Sequence, residues 1–266
     1  GYGRRNYDNF GSKIMETTLS YNKLLSGVHS INAVVGYSFQ EDYRDGFSAQ
    51  GREPLSDIIG PYKLEALNDV TIGDISSYYE SSNLISFFGR VAYNYDTKYY
   101  ATFTMRRDGS SRFGANNKWG LFPSGSVAWN IMREDFMDNV PFLSLLKLRA
   151  GFGLSGNQEI GNYLALPTIY IGGPSFNFET GEEAREFNQS HNANPDLRWE
   201  TNSEINVGLD FGILTNKLSG SLEYYRKNTF DLLNEYTVPV PPNVVRNTWA
   251  NAGAITNQGI ELNLNY

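Results

Sequence analysis

Between residues 99 and 107 the chain alternates. Tyr99, Ala101, Phe103 and Met105 fall on one side, and Tyr100, Thr102, Thr104 and Arg106 on the other. Period two predicts a β-strand with one apolar face. The same signature recurs along the sequence and predicts about nine strands. They cover Lys13–Tyr21, Val28–Gln40, Asn83–Tyr95, Tyr99–Arg107, Lys118–Ile131, Leu145–Leu154, Ser203–Ile213, Leu218–Arg226 and a last one ending at Tyr266. The sixth is very regular: Leu146, Leu148, Ala150, Phe152 and Leu154 oppose Lys147, Arg149, Gly151 and Gly153. Residues 1–10 read as a loop, and "MREDFMDNVPF" as a connection with room for one helical turn.

The connections alternate as well. Short ones near 22–27, 96–98, 132–144 and 214–217 trade places with long ones at 41–81, 108–117, 155–199 and 227–250. An up-and-down meander then carries turns at one end and every long loop at the other. Outer-membrane barrels sort their loops this way. The charges agree, because Arg106, Lys147, Arg149, Glu204, Asp210 and Glu261 sit on polar faces where unpaired burial is costly. A wet lumen keeps such groups hydrated, while lipid covers the opposite face. Tyr93, Tyr95, Tyr99, Trp129 and Tyr224 suit an interfacial girdle, and His29, in phase with apolar residues, joins it. An antiparallel sheet with one face on a core and the other in water remains the alternative.

Composition supports strands joined by polar loops. Of 266 residues, 40% are hydrophobic, with 18 Tyr, 16 Phe and 26 Gly. Net charge is −7, which disfavours nucleic acid as a partner. The absence of cysteine excludes disulfides and thiolate metal sites. No apolar run reaches the roughly 18 residues of a membrane helix, which says nothing against membrane strands. Residues 1–10 carry no signal-peptide pattern, so the chain is expected to begin within a longer protein or to have been processed.

The longest patterned stretches also carry a resemblance. "FFGRVAYNYDTKYYATFTMRRDGSSRFGANNKWGLFPSGSVAWNI", "LLKLRAGFGLSGNQEIGNY", "NPDLRWETNSEINVGLDFGIL", "KLSGSLEYYRKNTFDLL" and "NAGAITNQGIELNLNY" closely resemble the barrel region of SusC/RagA-like TonB-dependent transporters, in the family's order and spacing. The resemblance implies an all-β fold of antiparallel, up-and-down transmembrane strands, part of a 22-stranded barrel in the cell outer membrane. It implies import of bulky oligosaccharides or peptides, a SusD-like surface lipoprotein as lid, and energy delivered by TonB. The family's plug, TonB box and last strands find no counterpart here, so the whole chain, residues 1–266, is expected to be a partial barrel. On that reading Thr102, Thr104, Arg106, Lys147, Arg149, Glu204, Asp210 and Glu261 face the lumen.

Loop aromatics are the candidates for ligand or lid contact, since sugars stack on rings. They are Tyr62, Tyr78, Tyr79, Phe176, Phe178 and Trp249. No catalytic, metal or cofactor site is expected. The two histidines, His29 and His191, are far apart in sequence, and His191 reads as an exposed loop residue. Glu134–Asp135 and Glu182–Glu183 are weak candidates for the acid and base of a glycosidase. "DGSSRFGANN" lacks the helix that an anion-cradling loop needs. Two further readings stand beside the transporter: a soluble all-β carbohydrate-binding or adhesin module, and a β-rich glycoside hydrolase.

Overall fold

The structure is a computed structural model that describes residues 2–54, 63–71, 73–215 and 217–266, without the side chains of Pro174, Glu183 and Arg185. Fourteen strands are present among these residues. They are β1 (Tyr2–Leu25), β2 (His29–Pro54), β3 (Leu67–Asp69), β4 (Ile75–Tyr95), β5 (Tyr99–Ser110), β6 (Trp119–Asn130) and β7 (Leu143–Asn157). They continue with β8 (Ile169–Phe176), β9 (Glu183–Gln189), β10 (Glu200–Ile213), β11 (Leu218–Phe230), β12 (Leu233–Thr237), β13 (Asn247–Asn251) and β14 (Ala254–Asn265).

One sheet runs β1-β2-β4-β5-β6-β7-β10-β11-β14, with the short β3 on β2. Its path contains the nine strands that the alternation predicts, in chain order, so the meander is up-and-down. Two small hairpins, β8–β9 and β12–β13, lie inside the long connections. Among the described residues, 3-10 turns lie between the strands at Ile131–Arg133 and Asp135–Met137 in the expected connection and at Leu64–Ala66.

The short connections are tight. Ser26 and Gly27 have φ of 50° and 72°, and Asp96 and Thr97 have 47° and 56°. In each turn an amide donates back to close it, Val28 N–H to Leu25 O at 3.2 Å and Lys98 N–H to Tyr95 O at 2.9 Å. Paired left-handed residues give the backbone twist that matches two flanking strands.

Two compact units divide the chain: residues 1–15 with 39–84, and residues 16–38 with 85–266. β1, β2 and β4 contribute to both and reach 24, 26 and 21 residues. A strand crosses a bilayer in roughly 9–11. Residues 2–10 of the expected N-terminal loop are strand, and much of 41–81 is strand as well. Their sequence carries polar residues on both faces, as in Arg4-Arg5 and Asp8-Asn9. Where water wets both sides, the backbone ladder persists but the apolar period disappears.

In the first unit, a buried carboxylate organises the segment before β4. Asp74 accepts from the Thr71 amide and hydroxyl, each at 2.7 Å, and from the Gln50 amide at 2.8 Å. The Arg52 guanidinium stands 3.9 Å away. Led by the Thr71 amide, these donors hold the Asp74 pKa down at about 2.

In the second unit, the apolar core is small and lies beneath the long connections. Phe113, Phe122 and Trp199 pack with centroids 4.8 and 5.4 Å from the indole. Leu197 is 0% exposed beside them. Trp199 Nε1 donates to Lys118 O at 3.1 Å. Gly114 N–H donates to Leu197 O at 2.9 Å. A Cβ at Gly114 would collide with Pro195 O, so this close approach demands glycine.

Two outcomes follow. Trp199→Ala should cost roughly 3–5 kcal/mol locally, read as faster hydrogen exchange in residues 155–199 with β10 unchanged. Asp74 gains its partners as a carboxylate, so its contribution is full above its ordinary pKa of 3.8 and disappears as pH falls through about 2. Exchange protection around residues 71–75 should fall in that window, and Asp74→Asn should abolish the dependence.

Candidate functional site

The sheet of the second unit sorts its side chains cleanly. Thr102, Thr104, Ser124, Ser126, Glu204 and Asn206 line a hollow of about 330 Å³ on one face. Ala101, Phe103, Val127, Ala150, Ile205 and Val207 lie on the other. Register explains the sorting: Thr102 pairs with Ser126, Thr104 with Ser124, Ser124 with Gly153, and Gly153 with Glu204. Small side chains on the middle strands leave the hollow open.

Toward the short turns the polar face holds a charged brace. Arg149 on β7 pairs in register with Gly208 on β10, which pairs with Glu223 on β11. The guanidinium lies across Gly208, where a Cβ would come within 2.8 Å of it. It donates to Glu223 at 2.9 Å and to Asp210 at 3.3 Å. Glycine thus lets one arginine span three strands. Lys147 stands 4.9 Å over the Tyr100 ring and opposite Asp210. Glu261 is the register neighbour of Glu223. Toward the long loops, Arg106 Nε donates to both oxygens of Asp108 at 2.8 Å, and Nη2 to Ser86 at 2.9 Å. The lumen candidates therefore share one face.

The apolar face ends, at the short turns, in a belt of rings. His29 and Tyr95 are 5.0 Å apart, Tyr95 and Tyr99 6.2 Å, and Tyr99 and Trp129 6.4 Å. His29 Nδ1 meets the Tyr93 hydroxyl at 2.7 Å. Glu134, from the following turn, accepts from Tyr99 Oη at 2.5 Å and Trp129 Nε1 at 3.0 Å. These two donors, Tyr99 first, hold its pKa below the usual carboxylate range. Four of the expected girdle residues and His29 meet here. Tyr224 stands apart, paired with Val207 and Ile260.

The long connections are joined by asparagines, which composition did not reveal. Asn192 Nδ2 donates to Val245 O at 2.6 Å and Asn247 O at 3.0 Å, and its Oδ1 accepts from the Val244 and Val245 amides. Asn194 donates to Trp249 O at 2.8 Å. Asn251 Oδ1 accepts from Arg198 N at 2.9 Å, while Nδ2 donates to Arg198 O at 2.7 Å. Arg198 closes the joint with a fork onto Asp231 at 2.7 and 3.0 Å. Side-chain amides here replace a sheet ladder.

His191 is 6% exposed, against the expectation of a solvent-exposed residue, and its Nδ1 lies 2.9 Å from Ser190 Oγ. The candidate ligand aromatics scatter. Tyr62 lies outside the described residues. Tyr78 and Tyr79 are in β4 rather than a loop. The Tyr78 hydroxyl bonds to Asp8, and Arg44 lies 5.3 Å over its ring. Phe176 and Phe178 come together edge to face at 5.5 Å, with Phe178 92% exposed. Trp249 pairs with Glu235 in the β12–β13 hairpin. Glu134 is taken by the belt while Asp135 is fully exposed, so that pair does not converge on one bond. The Glu183 side chain lies outside the described residues.

Comparison with known proteins agrees with this geometry. Residues 1–266 match the family described as "TonB dependent receptor-like, beta-barrel". The TonB-dependent receptor SusC of Bacteroides thetaiotaomicron is 35% identical over 93% of this chain and 24% of its own length. The TonB-dependent receptor P3 of Formosa agariphila is 36% identical over 97% of this chain and 25% of its own. A solved structure of the RagAB peptide transporter matches with a TM-score of 0.86 at 29% identity, over 98% of this chain and 28% of that one. The chain thus spans about a quarter of the length of these curated relatives. It belongs to the TonB-dependent receptor β-barrel family, is SusC/RagA-like, and is an outer-membrane protein.

Proposed function

We propose that residues 1–266 form part of the barrel wall and loops of an importer that takes up bulky nutrients, oligosaccharide or peptide. One observation carries the reading: the sheet presents mainly apolar residues on one face and a braced, charged face on the other. Lipid suits the first and an aqueous conduit the second. On this reading Thr102, Thr104, Arg106, Lys147, Arg149, Glu204, Asp210 and Glu261 line the lumen. The work is passage and not catalysis, with no cofactor. A solved neighbour described as a peptide transporter supports the peptide class, and the oligosaccharide class rests on the family resemblance.

The asparagine-joined connections would present Phe176, Phe178 and Trp249 to cargo or to a SusD-like surface lipoprotein. Tyr78 and Tyr79 would contribute from β4, and Tyr62 is a further candidate on its sequence alone. TonB would supply energy through another part of the receptor.

The strand faces give a direct test in the complete receptor. Leu148→Arg puts a cation on the apolar face and should cost roughly 2–4 kcal/mol near the bilayer midplane. It should depress outer-membrane assembly, scored by heat-modifiable migration on gels. Thr104→Arg, on the opposite face, should assemble normally and change only uptake of labelled oligosaccharides or peptides. Equal assembly defects at both positions would refute the assigned faces. Normal assembly with no uptake of either cargo class would refute the importer.

A further inference from the structure

The apolar side of the sheet carries two exceptions to its chemistry. Along β5, β6, β7, β10, β11 and β14, register assigns every residue to one of two faces. On the apolar face the only charged residues among those described are Arg107 and Arg226. No carboxylate shares that face of these six strands. Arg106, one residue away on the opposite face, is gripped by Asp108. Arg107 and Arg226 have no carboxylate partner among the described residues.

Their heights match. Arg107 is the ninth residue of β5, which begins at Tyr99, and Arg226 the ninth of β11, which begins at Leu218. Both strands begin at a short turn. Eight steps of roughly 3.3 Å place each guanidinium about 26 Å along its strand. A strand tilt of roughly 40° brings this to about 20 Å of height, close to the far rim of an apolar band roughly 25 Å tall. The surroundings are those of a rim. Arg107 lies 5.0 Å over the Trp119 ring, and Trp119 continues a row through Phe87 at 6.2 Å to Tyr37 at a further 5.2 Å. Arg226 sits between Ile205 and Gln258.

A cation at the edge of hydrocarbon, with no anion of its own, is complementary to an anion supplied by the membrane. We propose that Arg107 and Arg226 each bind a phosphate on a lipid of the outer leaflet. Phe103 and Met105 below Arg107, and Leu121 level with it, would meet the acyl chains. Guanidinium matches phosphate in a two-pronged geometry that an ammonium lacks. The Trp119 ring holds the Arg107 fork in place, which lowers the entropy lost on binding. This inference rests on the reading that lipid covers the apolar face.

The test uses the complete receptor in phosphatidylcholine nanodiscs. These are doped with diphosphorylated lipid A or with the same lipid stripped of phosphate. Lipids retained after mild detergent are counted by native mass spectrometry. The diphosphorylated form should be retained preferentially. Arg107→Gln and Arg226→Gln should each weaken retention about fivefold, the equivalent of the ~1 kcal/mol per cation expected at an anionic surface. The double variant should lose the preference. Arg133→Gln, at the short-turn end, should retain it.

Equal retention of both lipids, or a double variant indistinguishable from the parent, would overturn the proposal. A dye on Leu148→Cys, read against brominated acyl chains, separates the two levels of the argument. Quenching without phosphate preference removes the phosphate sites and leaves the lipid-facing sheet. No quenching removes both.

Discussion

The constraint on which this structure depends is that hydrocarbon offers no hydrogen bonds. Every strand that meets lipid must therefore satisfy its backbone through its neighbours. Consecutive antiparallel ladders do this from β5 through β14, and among the described residues their register shifts between Gly212 and Ile213. Once the ladder is fixed, period two fixes the faces. Thr102, Ser126, Gly151 and Asn206 fall into one row because the backbone leaves them no choice. The charged brace, the hollow and the ring belt are placed by that same ladder.

Outside the sheet, different physics holds the chain. The long connections lack apolar mass, and their order comes from one aromatic knot and a set of side-chain amides. Trp199 anchors the first, and Asn192, Asn194 and Asn251 supply the second. An amide with both donor and acceptor can cap two backbone segments at once. The loops that carry Phe176, Phe178 and Trp249 thus stand on a rigid base although they bury little hydrophobic surface.

What the sequence made legible follows from this division. β7 and β10 were plain because Leu146, Leu148, Ala150, Ile205, Val207 and Leu209 alternate against charge or glycine. The overlong parts of β1, β2 and β4 were hidden, since strands wetted on both sides need no alternation. β8, β9, β12 and β13 were hidden for the same reason. The polar-face residues could be read from parity, but the reach of Arg149 to Glu223 could not. It depends on pairing β7 with β10 across a connection of more than forty residues. His191 misled because its neighbours are polar, and its burial comes from contacts distant in sequence. A histidine flanked by Ser190 and Asn192 gives no local sign of being enclosed.

The crossing of Arg149 over Gly208 has a consequence for how such a wall is threaded. A strand that docks two residues out of place keeps greasy and wet sides correct, so partitioning into lipid cannot detect the error. It would, however, slide Asn206 or Asp210 beneath the guanidinium in place of the bare backbone at Gly208. The side chain there would lift the arginine and break its reach to the third strand. A single missing methyl group therefore acts as a notch against which the seating of neighbouring ribbons is proofread.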